Sequence, residues 1–195
     1  MHAAPSLLDA NDSVFIVVDV QDKFLKRLDK DVSELVIERI CWLIKVADWL
    51  GVPIVFTAEE IEAAGPTNAR VRSCIPEASE DLDKVVFDLA GQADILKRVN
   101  DTGRKTAVLA GLETDVCVLH SAVGLAGKGY RVAVVADACA SPQAGHEHGL
   151  ARLRDAGVVL VSTKGLFFEW VRDLEVCHDF FRNSGIGVPK GLYIG

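Results

Sequence analysis

Polarity along this chain changes in blocks, with short apolar runs set between stretches of helical period. Val14-Phe15-Ile16-Val17-Val18 is continuously apolar and closes on Asp19, the pattern of a strand covered on both faces. Leu35, Ile40, Leu43, Ile44 and Ala47 approximate helical spacing and predict a helix from Asp31 to Leu50, with Gly51 placed to stop it. Further strands are predicted at Pro53–Thr57, Lys84–Phe87, Thr106–Ala110, Arg131–Ala136 and Val158–Val161. Helices from Gln92 to Asn100, Asp115 to Lys128 and Pro142 to Ala156 fill the intervals between the later strands.

Residues Ala58 to Asp83 break this rhythm. They carry Gly65-Pro66, Pro76 and many acids, and read as a long loop with one short helix. A loop of that length inside a compact domain is often functional. The stretch from Lys164 to Arg182 reads as helical, its Phe167, Phe168, Trp170 and Val171 serving either the core or a neighbouring subunit. The tail Gly185–Gly195 reads as extended and able to reach a partner. Such alternation predicts an α/β fold: three α/β/α layers around a central, mostly parallel six-stranded sheet of Rossmann type. Right-handed crossovers leave few topologies for it.

Composition narrows the class. One domain spanning residues 1–195 is the expectation for 195 residues of which half are hydrophobic. A net charge of −7 with scattered lysines and arginines argues against nucleic acid as a partner. No apolar stretch approaches the roughly 20 residues of a membrane span, so no membrane partner is expected. The start, Met1-His2-Ala3-Ala4-Pro5, lacks the basic and apolar regions of a secretory signal. Five cysteines without closely spaced pairs suit a reducing cytoplasm rather than a disulfide framework.

Cys117 carries the candidate chemistry. Gly111 is expected to break the strand Thr106–Ala110, and Thr114-Asp115 then offers a helix cap ahead of Val116, Leu119 and Val123. A thiol in the first turn of that helix meets unpaired N–H groups and the positive end of the helix dipole, which stabilise a thiolate. A small buried core residue is the other reading of the same position. In open parallel sheets ligands gather outside the carboxyl ends of the strands, where Asp19 and Cys117 both belong. Lys84 precedes its apolar run, so the pattern alone leaves its place open.

Taken together, Asp19 in Val-Asp-Val-Gln-Asp, then Lys84, then Gly111-Leu112-Glu113-Thr114-Asp115-Val116-Cys117-Val118 resemble the isochorismatase-like cysteine hydrolases. The resemblance continues through Ser121-Ala122, Gly127-Lys128-Gly129-Tyr130 and Val134-Val135-Ala136-Asp137-Ala138-Cys139-Ala140-Ser141, and covers the chain from about Val14 to Trp170. It implies that Cys117 attacks the carbonyl of a small amide, carbamoyl or ureido substrate. It implies that Asp19 shuttles the proton, and that Lys84 stays cationic and lowers the thiol pKa. It also implies an oxyanion hole from the N–H groups of Glu113 and Cys117, a cis Leu112–Glu113 peptide bond, and a homo-oligomer.

The chain departs from the nicotinamidase-like members, which carry an Asp-x-His motif and a divalent metal after the second strand. Here that stretch is Phe56-Thr57-Ala58-Glu59-Glu60-Ile61, and no histidine occurs between His2 and His120. Acids without imidazole make a poor transition-metal site, so no metal and no cofactor are expected. His146-x-His148 has a spacing that puts the two rings on different sides of a helix. Phe24, Glu60, Asn68 and Arg70 are the expected substrate contacts, and Cys41, Cys74, Cys139 and Cys177 read as small apolar residues. Two other functions stay open: hydrolysis of a vinyl ether such as isochorismate, and a non-catalytic oligomeric binding protein with a redox-sensitive thiol.

Overall fold

The computed structural model describes residues 7–74 and 80–194. The start at Met1–Pro5, Pro76 of the long loop and the terminal Gly195 lie outside the described residues. In chain order the elements are β1 (Ser13–Val18), α1 (Asp22–Leu25), α2 (Lys30–Trp49) and β2 (Ile54–Glu59). Next come α3 (Ile61–Ala64), α4 (Ala69–Arg72), β3 (Asp81–Lys84), α5 (Ala93–Asp101) and β4 (Thr106–Leu112). A π-turn over Thr114–Val118 leads into α6 (Leu119–Gly127), followed by β5 (Arg131–Ala140), α7 (Gly145–Asp155), β6 (Val159–Val161), α8 (Thr163–Val171) and α9 (Leu174–Asn183).

The strands pair in the order β3-β2-β1-β4-β5-β6, and every pairing is parallel. Successive side chains of a strand point to opposite faces, and β1 divides accordingly. Phe15 and Val17 join one core with Ile40, Leu43 and Ala47 of α2, Phe167 and Trp170 of α8, and Phe180 of α9. Val14, Ile16 and Val18 join the other, with Ile95 of α5, Leu119 and Leu125 of α6, and Leu153 of α7. Burying each large aliphatic or aromatic side chain contributes about 1.5–3 kcal/mol, so both layers are held by the sheet they sandwich. The strand order reverses direction between β1 and β4, the switch point at which such sheets open a crevice at their carboxyl edge.

Three elements differ from the sequence expectation. β3 is Asp81–Lys84 and not Lys84–Phe87, and Val85, Val86 and Phe87 follow it as exposed residues. A polar strand is tolerated because β3 is the sheet's edge and its acids have work to do. Asp81 Oδ2 accepts from the Thr67 N–H at 3.0 Å, and Asp83 Oδ1 accepts from the Ile61 N–H at 2.9 Å. Those carboxylates order the segment after β2, which holds two single-turn helices instead of a long loop. The helix predicted from Lys164 to Arg182 is two, broken at Arg172 (φ 67°) and Asp173, whose side chain accepts from the Val176 N–H and caps α9. Phe167, Trp170 and Phe180 are core, Phe167 lying within 5.0–5.7 Å of Trp42, Phe180 and Phe181, while Phe168 and Phe181 are partly exposed at its edge. In the tail, Ile186, Leu192 and Ile194 pack back on this core.

Gly111 does not break β4. The strand continues through it to Leu112, with a register shift against β5 between Leu109 and Gly111. At φ 136°, a Cβ on Gly111 would lie 2.0 Å from the Val18 carbonyl oxygen. Only glycine lets β4 run this close to the end of β1, and this approach brings the residues after both strands together. Among the described residues, no helix is long and apolar enough to cross a membrane.

Candidate active site

Four strands deliver one side chain each to the carboxyl edge of the sheet. Asp19 follows β1 in a left-handed conformation (φ 48°), Glu59 ends β2, Lys84 ends β3, and Cys117 sits in the π-turn after β4. Leaving the strand in that conformation turns Asp19 inward, where it is fully buried. Lys84 is fully buried as well, because the register of β3 on β2 pairs it with Glu59.

Lys84 Nζ stands 2.9 Å from Asp19 Oδ2 and 3.8 Å from Glu59 Oε2. It donates to the Val86 carbonyl at 2.7 Å and to Cys117 Sγ at 3.6 Å. The Thr57 hydroxyl donates to Asp19 Oδ1 at 2.8 Å. The Cys117 thiol has two carboxylates in reach: it donates to Glu59 Oε2 at 3.3 Å and also borders Asp19, all three groups lying within 4.8 Å of one another. The Leu112–Glu113 peptide bond beside them is cis.

The electrostatics of this cluster differ from the sequence expectation of a depressed thiol. Burial raises the Cys117 pKa first, the adjacent Asp19 charge raises it further, and Lys84 offsets only part of this. Burial likewise raises Asp19, against the pull of Lys84 and Thr57. For Lys84 burial works against the charge, yet Asp19, Cys117 and Glu59 together hold the ammonium above its ordinary range. The surroundings therefore favour a neutral thiol beside the Lys84–Asp19 pair. Cys117 sits in a π-turn rather than the first turn of a regular helix, with the Val118 N–H donating to the Glu113 carbonyl, and burial is the largest influence on its thiol.

A cavity of about 110 Å³ opens over the thiol, lined among others by Phe24, Glu59, Phe87, Glu113 and Val116. Arg27 at its rim pairs with Glu113 at 3.0 Å. Phe24, an expected substrate contact, lines this cavity. Glu60 does not line it and borders a neighbouring depression with Val85, Val86 and Phe87. Asn68 and Arg70 stand away from the thiol: Asn68 accepts from the Arg70 and Val71 N–H groups to cap α4 and donates to Asp22, while Arg70 pairs with Glu34. Thr114-Asp115 is no side-chain cap; Asp115 Oδ1 accepts from the Ser141 hydroxyl at 2.6 Å.

Sequence reasoning missed Glu59 and Gln21. Two-residue alternation from Thr57 puts Glu59 on the Asp19 side of β2, and that signal was available. Gln21 is fully buried and clamps Glu59 from both sides: its Oε1 accepts from the Glu59 N–H at 2.7 Å, and its Nε2 donates to the Glu59 carbonyl at 2.8 Å and the Gly65 carbonyl at 2.6 Å.

Asp19, Glu59 and Cys117 form the metal-ligand cluster found among the described residues. The Lys84 ammonium already supplies the positive charge at its centre, so a cation entering there meets repulsion at close range. His146 is engaged elsewhere, its Nδ1 2.9 Å from the Thr114 hydroxyl.

A doubly wound parallel sheet with a buried carboxylate, ammonium and thiol at its switch point defines the class, that of a hydrolase. The isochorismatase domain model matches residues 13–165, and the chain belongs to that family. Human isochorismatase domain-containing protein 2 is 30% identical over 176 residues, covering 88% of this chain and 82% of the relative. Isochorismatase family protein 1A of Dictyostelium discoideum is 27% identical over 183 residues, covering 90% and 85%. Among solved structures, YcaC from Pseudomonas aeruginosa with hexane-2,5-diol and covalent acrylamide superposes with a TM-score of 0.79 at 25% identity, over 88% of this chain and 86% of that one. Nicotinamidase PncA from Bacillus subtilis shares the fold, with a TM-score of 0.66 at 18% identity over 77% and 99%.

Proposed function

We propose that this chain is a metal-independent cysteine hydrolase that cleaves the C–N bond of a small amide, carbamoyl or ureido compound. The observation that carries the reading is the Lys84 ammonium, buried between Asp19 at 2.9 Å and Cys117 Sγ at 3.6 Å on the floor of a cavity. A cavity of about 110 Å³ is small beside the ~300–1,000 Å³ of drug-sized sites, and suits an acyl group of a few heavy atoms.

In this reading Asp19 takes the thiol proton as Sγ attacks the carbonyl carbon. Its raised pKa makes it a stronger base than an ordinary carboxylate, and the thiol's raised pKa makes base assistance necessary. Lys84 keeps its proton throughout and compensates the negative charge that passes between sulfur and carboxylate. The N–H groups of Glu113 and Cys117 receive the developing oxyanion. The amine leaves with the proton held on Asp19, giving a thioester. Asp19 then deprotonates the water that releases the acid and restores the thiol. Glu59, at the cavity wall and 3.3 Å from Sγ, binds the N–H groups of the substrate, and Phe24 packs on its apolar part.

The thiol at the cavity floor favours this reading over vinyl ether hydrolysis, which protonates an enol ether and needs no nucleophilic sulfur. The covalent acrylamide of the Pseudomonas aeruginosa relative supports it, since acrylamide is both a primary amide and a thiol alkylator. We also propose a homo-oligomer in a reducing cytoplasm. Val85, Val86 and Phe87 are exposed apolar residues beside the site, and the YcaC protein from Escherichia coli is an octameric hydrolase. The test is ammonia or amine release from a panel of small amides, carbamoyl and ureido compounds, with a rapid acid quench to capture an acyl adduct on Cys117. Turnover lost in both Cys117→Ser and Asp19→Asn is the expected result. Turnover of any of these that survives Cys117→Ser overturns the reading.

A further inference from the structure

Two cysteines outside the active site come together at the surface. Cys41 lies on α2 and Cys74 two residues past α4, and both are half-buried thiols. Both donate to one acceptor, the Arg70 carbonyl, with Cys74 Sγ at 3.1 Å and Cys41 Sγ at 3.6 Å. Cys41 has a single S–H, which donates to Cys74 Sγ when it turns away from that oxygen. They open on a depression of about 400 Å³ lined by Glu38, Lys45, Arg70, Ser73 and Lys190. Lys45 and Lys190 stand beside Glu38 there, and Arg70 is paired with Glu34. Both pack against the core on one side, as small apolar residues do, and on the other converge on one oxygen beside cationic groups.

We propose that Cys41 and Cys74 are a hydroperoxide-reactive dithiol, with Cys74 the residue oxidised first and Cys41 the residue that resolves it into a disulfide. The cations and the Cys41 hydrogen bond set the roles. Donation from Cys41 and the charges of Lys45 and Arg70 bring the Cys74 thiol down to about 7, against the effect of burial. Cys41 is pushed the other way by the same hydrogen bond and by burial, and keeps its proton. The Cys74 thiolate attacks the terminal oxygen of a hydroperoxide, the O–O bond breaks, and the departing alkoxide or hydroxide takes a proton from water. The sulfenic acid on Cys74 is then attacked by the Cys41 thiol, which forms the S–S bond and releases water. Two thiols and one hydroperoxide thus yield one disulfide, one alcohol or water, and one further water, with two electrons passing from sulfur to oxygen. Cys117 does not compete, because its thiol is buried and raised. The inference is independent of the hydrolase reading, since it uses none of the catalytic residues.

The test treats the reduced full chain with one to two equivalents of hydrogen peroxide at pH 7.5. Free thiols are then alkylated under denaturing conditions and the digest is analysed by mass spectrometry. A Cys41–Cys74 crosslink with Cys117, Cys139 and Cys177 still alkylated is the expected result. Cys41→Ser stops at a Cys74 sulfenic acid that dimedone traps. Cys74→Ser gives neither crosslink nor a Cys41 adduct, and slows peroxide consumption at least about tenfold. The inference is overturned if the wild-type chain gives no such crosslink, or if Cys117 is oxidised before Cys74.

Discussion

Lys84 and Asp19, 65 positions apart in the chain, meet as a fully buried ion pair at 2.9 Å. Removing one partner of such a pair strands the other charge without solvent. Lys84→Met is therefore expected to cost about 3–5 kcal/mol of stability. The double variant Asp19→Asn/Lys84→Met should recover a large part of that loss while remaining inactive. Urea unfolding of the four members of the cycle checks the coupling, and simple additivity of the two single losses would show that the charges do not depend on each other.

A raised Asp19 pKa fixes the acid side of the activity profile. The base must be ionised to accept the thiol proton, so kcat/KM falls as pH drops through the folded-state pKa, above the ordinary carboxylate value. The Thr57 hydroxyl stabilises the ionised form, and Thr57→Val is expected to move this limb to higher pH still. A pH series of kcat/KM for the two proteins reads the shift; an unmoved or lowered limb would assign the limb to another group. Stability follows the same sign: Asp19 disfavours folding while it is ionised, and the cost shrinks as pH falls through its folded pKa.

The neutral thiol has its own signature. Alkylation of Cys117 by iodoacetamide should be slow at pH 7–8 and should accelerate only above the ordinary thiol range. Asp19→Asn removes a charge that raises the thiol pKa, so its alkylation profile is expected to move to lower pH while hydrolysis is lost. Lys84→Met should move the profile the other way. Peptide mapping of the alkylated residue across pH 6–10 tests this, and a wild-type profile with a midpoint below pH 8 would establish a preformed thiolate instead.

Gly111→Ala places a methyl group 2.0 Å from the Val18 carbonyl oxygen and at a positive φ. The strands must part at the point that holds Asp19 against the Cys117 turn. A loss of about 3 kcal/mol is expected, with kcat reduced beyond what stability explains. Thermal unfolding and turnover below the melting temperature separate the two effects. Wild-type kcat in Gly111→Ala would show that the approach of β4 to β1 is not what aligns the site.

Much of the site was legible in the chain because each of its parts is local. Asp19 closes an uninterrupted apolar strand, and Cys117 follows another across a glycine, so both fall at the carboxyl edge once the sheet is parallel. Lys84 was legible as a residue but not as a location. Its strand is polar, and hydrophobic periodicity assigns the apolar Val85-Val86-Phe87 to the sheet, when those residues are solvent-exposed beyond it. Glu60 was chosen over Glu59 for a related reason: without the end of β2 in place, the alternation that turns Glu59 inward cannot be counted. The pairing of Cys41 with Cys74 has no local signal at all, since one lies on a long helix and the other beyond the sheet's second strand.

What the sequence by itself determined is the layered α/β order and the delivery of Asp19 and Cys117 to one edge, because apolar periodicity and strand-end position act over a few residues. The tertiary structure alone decided how those groups are charged. Burial raises the thiol and the carboxyl together and works against the ammonium, which the neighbouring Asp19, Cys117 and Glu59 keep charged. Desolvation depends on everything packed around a group, and elements distant in the chain supply that packing.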